Sequence, residues 1–405
     1  MKILIITQYF PPEIGAAAER MNSLAGFLSE RAQVAVLAPV PSYPWGIIPK
    51  EDRALWDRHA PKDVEIIRVY KFPHRKNFLL RLFGELQYTL YSLGKACLLP
   101  RPDLVIISSP SFFLGFIGLA LKIVKKVEYV FDVRDLYPDS VLDAGVLRNG
   151  FLYHLLKRLE KVFYSHARLV SVVHETWLPA IEASAKRVVI VPNGVDFQQF
   201  YGGQDPLSQR LSPDKLNLLE SHFVVLFLGN LGIFYDFSPF LSAARKISLK
   251  GHDDVQFVFL GEGIQKRDFM NRVKNESIPN CHFWDPVPSG MIPAILSQSN
   301  VGIVSRHPHM RSTRGCIPNK VYEYLAGDLD VIACLQGDLP RDLLESGKFF
   351  VFENLNVNGI VKKILDIKSA GRKSETSREL LEKMSRKNHF EQLWNAIRTR
   401  EEAEA

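Results

Sequence analysis

His222-Phe-Val-Val-Leu-Phe-Leu-Gly-Asn-Leu-Gly232 is apolar at every residue from Phe223 to Leu228 and then meets glycine, and this pattern decides the fold class. A strand that is apolar throughout is covered on both faces, as in a parallel sheet between helical layers. Glycine directly after it lets backbone N–H groups come close to an anion. Val255–Leu260 leads in the same way into Gly261-Glu-Gly263. The series continues with Cys281–Trp284, Val301–Ser305, Val331–Cys334 and Phe349–Phe352, with helical stretches between them at Pro239–Lys250, Ile264–Asn275 and Pro318–Ala326. Upstream, Ile3–Thr7, Val34–Ala38, Val64–Val69, Leu104–Ser108, Tyr129–Asp132, Leu169–Val173 and Arg187–Val191 form a first series, with helices such as Ala16–Arg31 and Gly150–Tyr164. The reading is α/β, with two doubly wound, Rossmann-like domains facing across a cleft at their strand carboxyl ends. Val191-Pro-Asn-Gly-Val-Asp closes the first series, and Tyr201–Ser221 has no apolar period and reads as a polar connection. Domains are therefore expected at 1–205 and 206–384, with a helix at about 385–405 packing back on the first.

Composition limits what such a chain does. At 405 residues it exceeds one ordinary core, and its 46% hydrophobic and 23% charged residues exclude wholesale disorder. The net charge of +7 is uneven, since residues 1–200 carry 25 Lys and Arg against 19 Asp and Glu. Attraction for anionic surfaces belongs to that half. Cys97, Cys281, Cys316 and Cys334 lie far apart without metal spacing, so neither a disulfide framework nor a metal centre is expected, and a cytoplasmic setting fits. The opening apolar run stops at Thr7 and reads as a strand rather than a signal peptide. Phe112–Leu121 is too short to span a bilayer, and Asn77–Leu99 is interrupted by Arg81, Glu85 and Lys95.

The most informative stretch is Gly315-Cys-Ile-Pro-Asn-Lys-Val-Tyr-Glu-Tyr-Leu-Ala-Gly327. Pro318 suits a first helical position, and Lys320 then lies in the first turn. A cation there opposes the helix dipole at about 0.3–1 kcal/mol unless an anion binds, which points to a diphosphate. Glu323, one turn on, can accept the hydroxyl hydrogen bonds of a ribose. The plain alternative is a Lys320–Glu323 surface pair worth a few tenths of a kcal/mol. Gly229-Asn-Leu-Gly232 is not GxGxxG, so the dinucleotide fingerprint is absent, but with Gly263 it makes a second glycine turn at neighbouring strand ends.

Five stretches occur in order along essentially the whole chain: Gln8-Tyr-Phe-Pro-Pro-Glu-Ile-Gly15, Phe131-Asp-Val-Arg-Asp-Leu-Tyr-Pro-Asp-Ser140, Val191-Pro-Asn-Gly-Val-Asp196, Gly229-Asn-Leu-Gly232 and Pro318-Asn-Lys-Val-Tyr-Glu-Tyr-Leu-Ala326. Together they resemble GT-B-fold glycosyltransferases of family 4, in the branch of bacterial O-antigen and capsule enzymes such as the N-acetylfucosamine transferases. The resemblance implies a hexosyltransferase that retains anomeric configuration and needs no metal or other cofactor. It implies that Lys320 binds the donor diphosphate, Glu323 the ribose hydroxyls and Gly15 the donor phosphate through backbone. The base would be clasped after Trp284, with Val287 supplying backbone contacts, and Asp135 would stand near the reacting sugar. Gly229, Asn230 and Gly263 belong to the same donor site. Three positions depart from the family pattern. Gly315 stands where the first Glu of Glu-x7-Glu is usual, Ile233-Phe-Tyr-Asp-Phe237 lacks a lysine, and Asp330 replaces a common proline. Arg311 and Arg314 are candidates to restore phosphate contacts.

Smaller signals are weaker. His252-Asp-Asp254 reads as a solvated turn, His174 as the polar end of a strand, and His307 and His309 as loop chemistry or a phosphate contact. Asp132 and Asp135 are open as an acid–base pair. Residues 66–101 hold seven Lys and Arg and one Glu among aromatic and leucine residues. Such a helix, with Arg75, Lys76, Arg81 and Phe83, suits a membrane interface, although its apolar face also suits a core.

The function expected is transfer of a sugar from a nucleotide diphosphate, UDP first, to a polyprenyl-diphosphate-linked saccharide in cell-surface polysaccharide synthesis. The protein would be peripheral on the inner face of the plasma membrane and have no nucleic-acid partner. A nucleotide-sugar epimerase of the same fold and a non-catalytic nucleotide-sugar-binding homologue are the alternatives.

Overall fold

The computed structural model describes residues 1–13, 15–41, 60–72, 78–109, 111–202, 207, 211–371 and 375–399, with the side chains of Phe78, Leu79, Arg81, Gln198, Gln199 and Gly202 excepted. Two compact units are present, one formed by Met1–Pro192 together with the segment from Arg386, the other by Asn193–Ser385. The boundary thus falls earlier than 205. Val195 donates its N–H to Met384 O (3.0 Å) and, with Phe200, joins the second unit's core, which takes residues 193–202 out of the first.

In the first unit, β1 (Lys2–Ile6), β2 (Gln33–Pro39), β3 (Val64–Val69), β4 (Leu104–Ser108), β5 (Glu128–Val133), β6 (Leu169–Val172) and β7 (Val188–Ile190) form one parallel sheet. Its order is β3-β2-β1-β4-β5-β6-β7, so the winding reverses between β1 and β4. On one face, α1 (Ala16–Ser29) buries Met21, Leu24 and Leu28 against the strands, and the helix Arg386–Arg398 adds Phe390, Leu393 and Ile397 to the same cluster. The last helix therefore completes the first unit's core. In a second layer, α2 (Phe78–Leu98), α3 (Gly115–Lys125) and α4 (Phe151–His166) lie side by side, α3 packing on both others.

The second unit has a six-stranded parallel sheet from β8 (Phe223–Leu228), β9 (Val255–Leu260), β10 (Cys281–Trp284), β11 (Val301–Ser305), β12 (Asp330–Cys334) and β13 (Phe349–Val351). Its order is β10-β9-β8-β11-β12-β13, with the reversal between β8 and β11. One face is covered by α5 (Ser238–Leu249), the other by α6 (Asn319–Ala326), while α7 (Val357–Ala370) packs on α5. Tyr201–Ser221 is not simply a polar connection. Phe197–Gly202 and Pro213–Ser221 are helical, the latter starting on Ser212-Pro213 and burying Leu219, too few apolar contacts to leave a period in the sequence.

The strands at the reversal barely pair. Only Val301 with Val225 and Gly302 with Leu226 are in register. Beyond them the buried Tyr324 hydroxyl accepts the Leu228 N–H (2.8 Å) and donates to Ile303 O (3.3 Å). A Cβ on Gly302 would lie 2.3 Å from the Tyr324 ring, so glycine there makes room for the wedge. Tyr324 thereby takes over hydrogen bonds that the parting strands no longer exchange. All four cysteines are free thiols. Among the described residues no helix is long and apolar enough to cross a membrane.

Candidate active site

In open α/β sheets ligands bind beyond the strand carboxyl ends where the winding reverses. In the second unit that point is the end of β8 beside the end of β11. After β8 the chain turns at Gly229, at φ +115°, and after β9 at Gly261, at φ +152°. The two turns are fastened together, with Gly229 N donating to Leu260 O and Leu231 N to Glu262 O, both at 2.9 Å. A Cβ on Gly261 would lie 1.9 Å from Gly229 O, and one on Gly263 2.3 Å from Leu231 O. Close backbone approach thus sets the glycines that the sequence shows at both strand ends.

Lys320 reaches this place from the first turn of α6. The helix begins one residue later than expected, since Pro318 has ψ 145° and acts as the N-cap, leaving Lys320 second in the helix. Lys320 is only 7% exposed. Its Nζ lies 3.7 Å from the centroid of the Phe227 ring and 4.1 Å from that of Tyr235, and among the described residues it has no hydrogen-bond acceptor in good geometry. A Cβ on Gly229 would lie 3.5 Å from it. Burial lowers its pKa below the usual lysine range and the charge of Arg306 adds to this, while Tyr235 and Glu323 oppose. The surface-pair alternative fails, because Lys320 is buried and Glu323 accepts instead from Asn319 Nδ2 (2.8 Å).

Arg306 is a residue that sequence reasoning missed. It directly follows β11, donates its backbone N–H to Cys334 O (3.0 Å), and its Nε is buried without a hydrogen-bond partner among the described residues. Its only sequence signal was its place right after a strand. Asp236 nearby in the fold is already engaged, accepting the Ser238 N–H at the start of α5 and Asn354 Nδ2, both at 3.0 Å.

The other expected residues are spread. Asn230 is exposed beside the first glycine turn, and Gly263 lies in the second. Val287, half-buried beyond β10, packs against the core. Arg311 is exposed on the turn Arg311–Thr313, with no ion pair among the described residues. Gly15 and Asp135 belong to the first unit. Gly15 precedes α1 with φ 147°, and among the described residues no atom lies within 4 Å of where its Cβ would be. Asp135 is half-buried just past β5.

The open question about Asp132 is answered. It is fully buried and ion-paired with Arg20 (3.2 Å), and accepts from Ser171 Oγ (2.8 Å). Arg20 also donates to the carbonyls of Val191 and Pro192, both at 3.0 Å. Although burial alone would raise its pKa, Arg20 and Arg134 hold the Asp132 carboxyl below the usual range. Asp132 is a structural anion rather than an acid–base partner of Asp135. His174 caps the turn after β6, its Nδ1 accepting the Thr176 N–H (3.2 Å), and Asp254 pairs with Lys368 at the surface. His307 and His309 stack on each other at 5.1 Å. Among the described residues no three His, Cys, Asp or Glu side chains converge as a metal-ligand set.

Arg75 and Lys76, and the side chain of Arg81, lie outside the described residues. Phe83 is 56% exposed on α2, and the apolar exposure continues beyond that helix. Leu90 and Leu98 on α2, Ile123 and Val124 on α3, and Phe151 and Leu152 on α4 all face solvent. On α4 they share the exposed side with Arg158 and Lys161, and the helix's single acid, Glu160, is buried.

Comparison with known proteins follows the two units. Residues 15–194 match the glycosyl transferase 4-like domain, and residues 222–369 match glycosyl transferases group 1. A relative, "Probable glycosyltransferase WbjE" of Pseudomonas aeruginosa, is 25% identical over 290 residues, covering 69% of this chain and 70% of that one. Among solved structures, sucrose-phosphate synthase from Thermosynechococcus elongatus superposes with TM-score 0.73 at 15% identity, over 99% of both chains. Anabaena Alr3699/HepE in complex with UDP-glucose does so with TM-score 0.69 at 14% identity, over 98% of this chain and 100% of that one. Two parallel α/β units, each matching one of the paired domain families in the right order, make this chain a glycosyltransferase of the GT-B fold.

Proposed function

We propose that the protein is a retaining, metal-independent hexosyltransferase that moves a sugar from a UDP-sugar to a polyprenyl-diphosphate-linked saccharide in cell-surface polysaccharide synthesis. The observation that carries the donor reading is Lys320, a buried ammonium with no hydrogen-bond acceptor in good geometry among the described residues, at a helix N-terminus beside two interlocked glycine turns. An anion there gains a full charge, free N–H groups and the helix dipole in one place. The leaving group of glycosyl transfer from a nucleoside diphosphate is such an anion, and charge that develops on it in the transition state is stabilised by the same groups. That Anabaena Alr3699/HepE was solved with UDP-glucose supports a UDP-sugar as donor. Glu323, held by Asn319, is assigned to the ribose and Val287 to the base. Gly15 and Asp135 carry the roles implied by the family resemblance, at the donor phosphate and the reacting sugar.

The acceptor reading rests on the outer layer of the first unit. Apolar side chains with basic neighbours and no exposed acid along α4 suit the headgroup region of an anionic leaflet. The protein would then work as a peripheral enzyme on the inner face of the plasma membrane, of the O-antigen and capsule branch that includes the N-acetylfucosamine transferases.

Incubation with a panel of UDP-sugars, with and without a polyprenyl-diphosphate saccharide, tests this reading. Sugar transfer to the lipid-linked acceptor with release of UDP is expected, in the presence of chelator, with the donor's anomeric configuration kept in the product. Epimerisation of the UDP-sugar without acceptor, or binding without turnover, would overturn it.

A further inference from the structure

We infer that Arg306 and Lys320 together form a two-cation seat for a diphosphate, with Arg306 as a second phosphate-binding residue of this chain. The inference rests on the nucleotide-sugar reading for the identity of the ligand, but its geometry stands on its own.

Arg306 closes β11 and Gly229 closes β8, the two strands between which the winding reverses. Lys320 Nζ lies against Gly229, and His307 N donates to Phe234 O (3.2 Å), which fastens the chain next to Arg306 to the turn after β8, where the charge of Arg306 also disfavours that of Lys320. Two like charges at reduced dielectric repel. Each also keeps a buried nitrogen, Nε of Arg306 and Nζ of Lys320, without a hydrogen-bond partner among the described residues. A buried donor without a partner costs stability, and more so when it is charged. The aromatic faces of Phe227 and Tyr235 offset part of this for Lys320.

Among the described residues the nearby carboxylates offset the conflict only in part, Glu323 acting on Lys320 without pairing with it. Asp236 is engaged by Ser238 and Asn354, and Glu323 accepts from Asn319. Position 315, where an acid would have added negative charge, is glycine at φ +74°. What remains is a local excess of positive charge at the ends of β8 and β11. The diphosphate of a nucleotide sugar carries two negative charges and matches this excess one for one. A guanidinium supplies forked donors suited to phosphate oxygens, and the ammonium a point charge. The arrangement also explains how the chain dispenses with a lysine in Ile233-Phe-Tyr-Asp-Phe237, the turn after β8. The second cation comes from the end of β11, rather than from the exposed Arg311.

Isothermal titration of the full chain with inorganic pyrophosphate, UDP and uridine, together with melting in the absence of any of them, tests the inference. Relative to wild type, Arg306→Gln is expected to lose about tenfold or more in affinity for pyrophosphate and UDP. Arg306→Lys should recover part of the loss. Without added anion, Arg306→Gln should melt no lower than wild type, because one of two repelling charges is gone. A structural arginine would behave in the opposite way, so a lower melting temperature for Arg306→Gln overturns the inference. Unchanged UDP and pyrophosphate affinity in Arg306→Gln also overturns it, while leaving the donor reading intact. Pyrophosphate binding by wild type without UDP binding would keep the two-cation seat and remove the nucleotide. Binding of neither would end both.

Discussion

Lys320 is at once a cost to the fold and the group expected to bind its ligand. Its pKa is depressed by burial, so between that depressed value and 10.5, the ordinary value, the unfolded chain binds more protons at this site than the folded one. Stability of the protein without ligand should therefore rise with pH across that window as the buried ammonium is neutralised. Lys320→Met should abolish that part of the pH dependence and melt higher than wild type at neutral pH, as followed by circular dichroism. The same variant should lose about a hundredfold or more in turnover. A variant that unfolds, or one that keeps near-normal turnover, would contradict this. Sequence made Lys320 legible because a cation in a first helical turn breaks a local rule. Arg306 breaks none, since arginine after a strand is ordinary, and only its buried Nε distinguishes it. Asp132 was ambiguous for the converse reason. Its partner Arg20 is 112 residues away in sequence, and no local pattern announces such a pair.

Strands were the most readable elements. Leu104–Ser108, Phe223–Leu228 and Val301–Ser305 lie where their nearly continuous apolar runs put them, because burial on both faces leaves such a signal. The helix Pro213–Ser221 was not readable, because one buried leucine does not make a period. The hydroxyl of Tyr324 was equally hidden, since a tyrosine in an apolar helix stripe reads as ordinary core. At this scale its loss is the informative change. Tyr324→Phe leaves the ring in place but strips the Leu228 N–H of its acceptor and Ile303 O of its donor. Stability should fall by about 1–3 kcal/mol. The urea midpoint should drop with an unchanged slope, and the affinity for UDP should weaken as the ends of β8 and β11 lose their tie. Unaltered values for both would show that the parted strands are satisfied in another way.

For the molecule as a whole, the charge imbalance of the sequence acquires a location. The first 200 residues carry most of the net charge, and some of it lies on α4, with Arg158 and Lys161 beside Phe151 and Leu152 on an exposed side. If that side meets a membrane, binding to vesicles containing anionic lipid should fall about fivefold for Arg158→Ser, and added salt should erase the difference. Phe151→Ser should weaken binding at every salt concentration, because its contribution is apolar. Equal sedimentation of both variants and wild type with vesicles would move the interface elsewhere.

The same whole-molecule view gives the final helix a consequence in time. Residues 193–385 are in effect inserted into the first unit, whose core lacks Phe390, Leu393 and Ile397 until the helix Arg386–Arg398 arrives. Both crossings of the chain are fastened to α1. Arg20 holds the carbonyls of Val191 and Pro192 on the way out, and Arg386 donates to Ser23 Oγ (2.9 Å) on the way back. During synthesis the first-made strands must therefore wait with an open apolar face while the inserted unit is translated and folds. Of the two units, the one whose strands are made first is the one that finishes last.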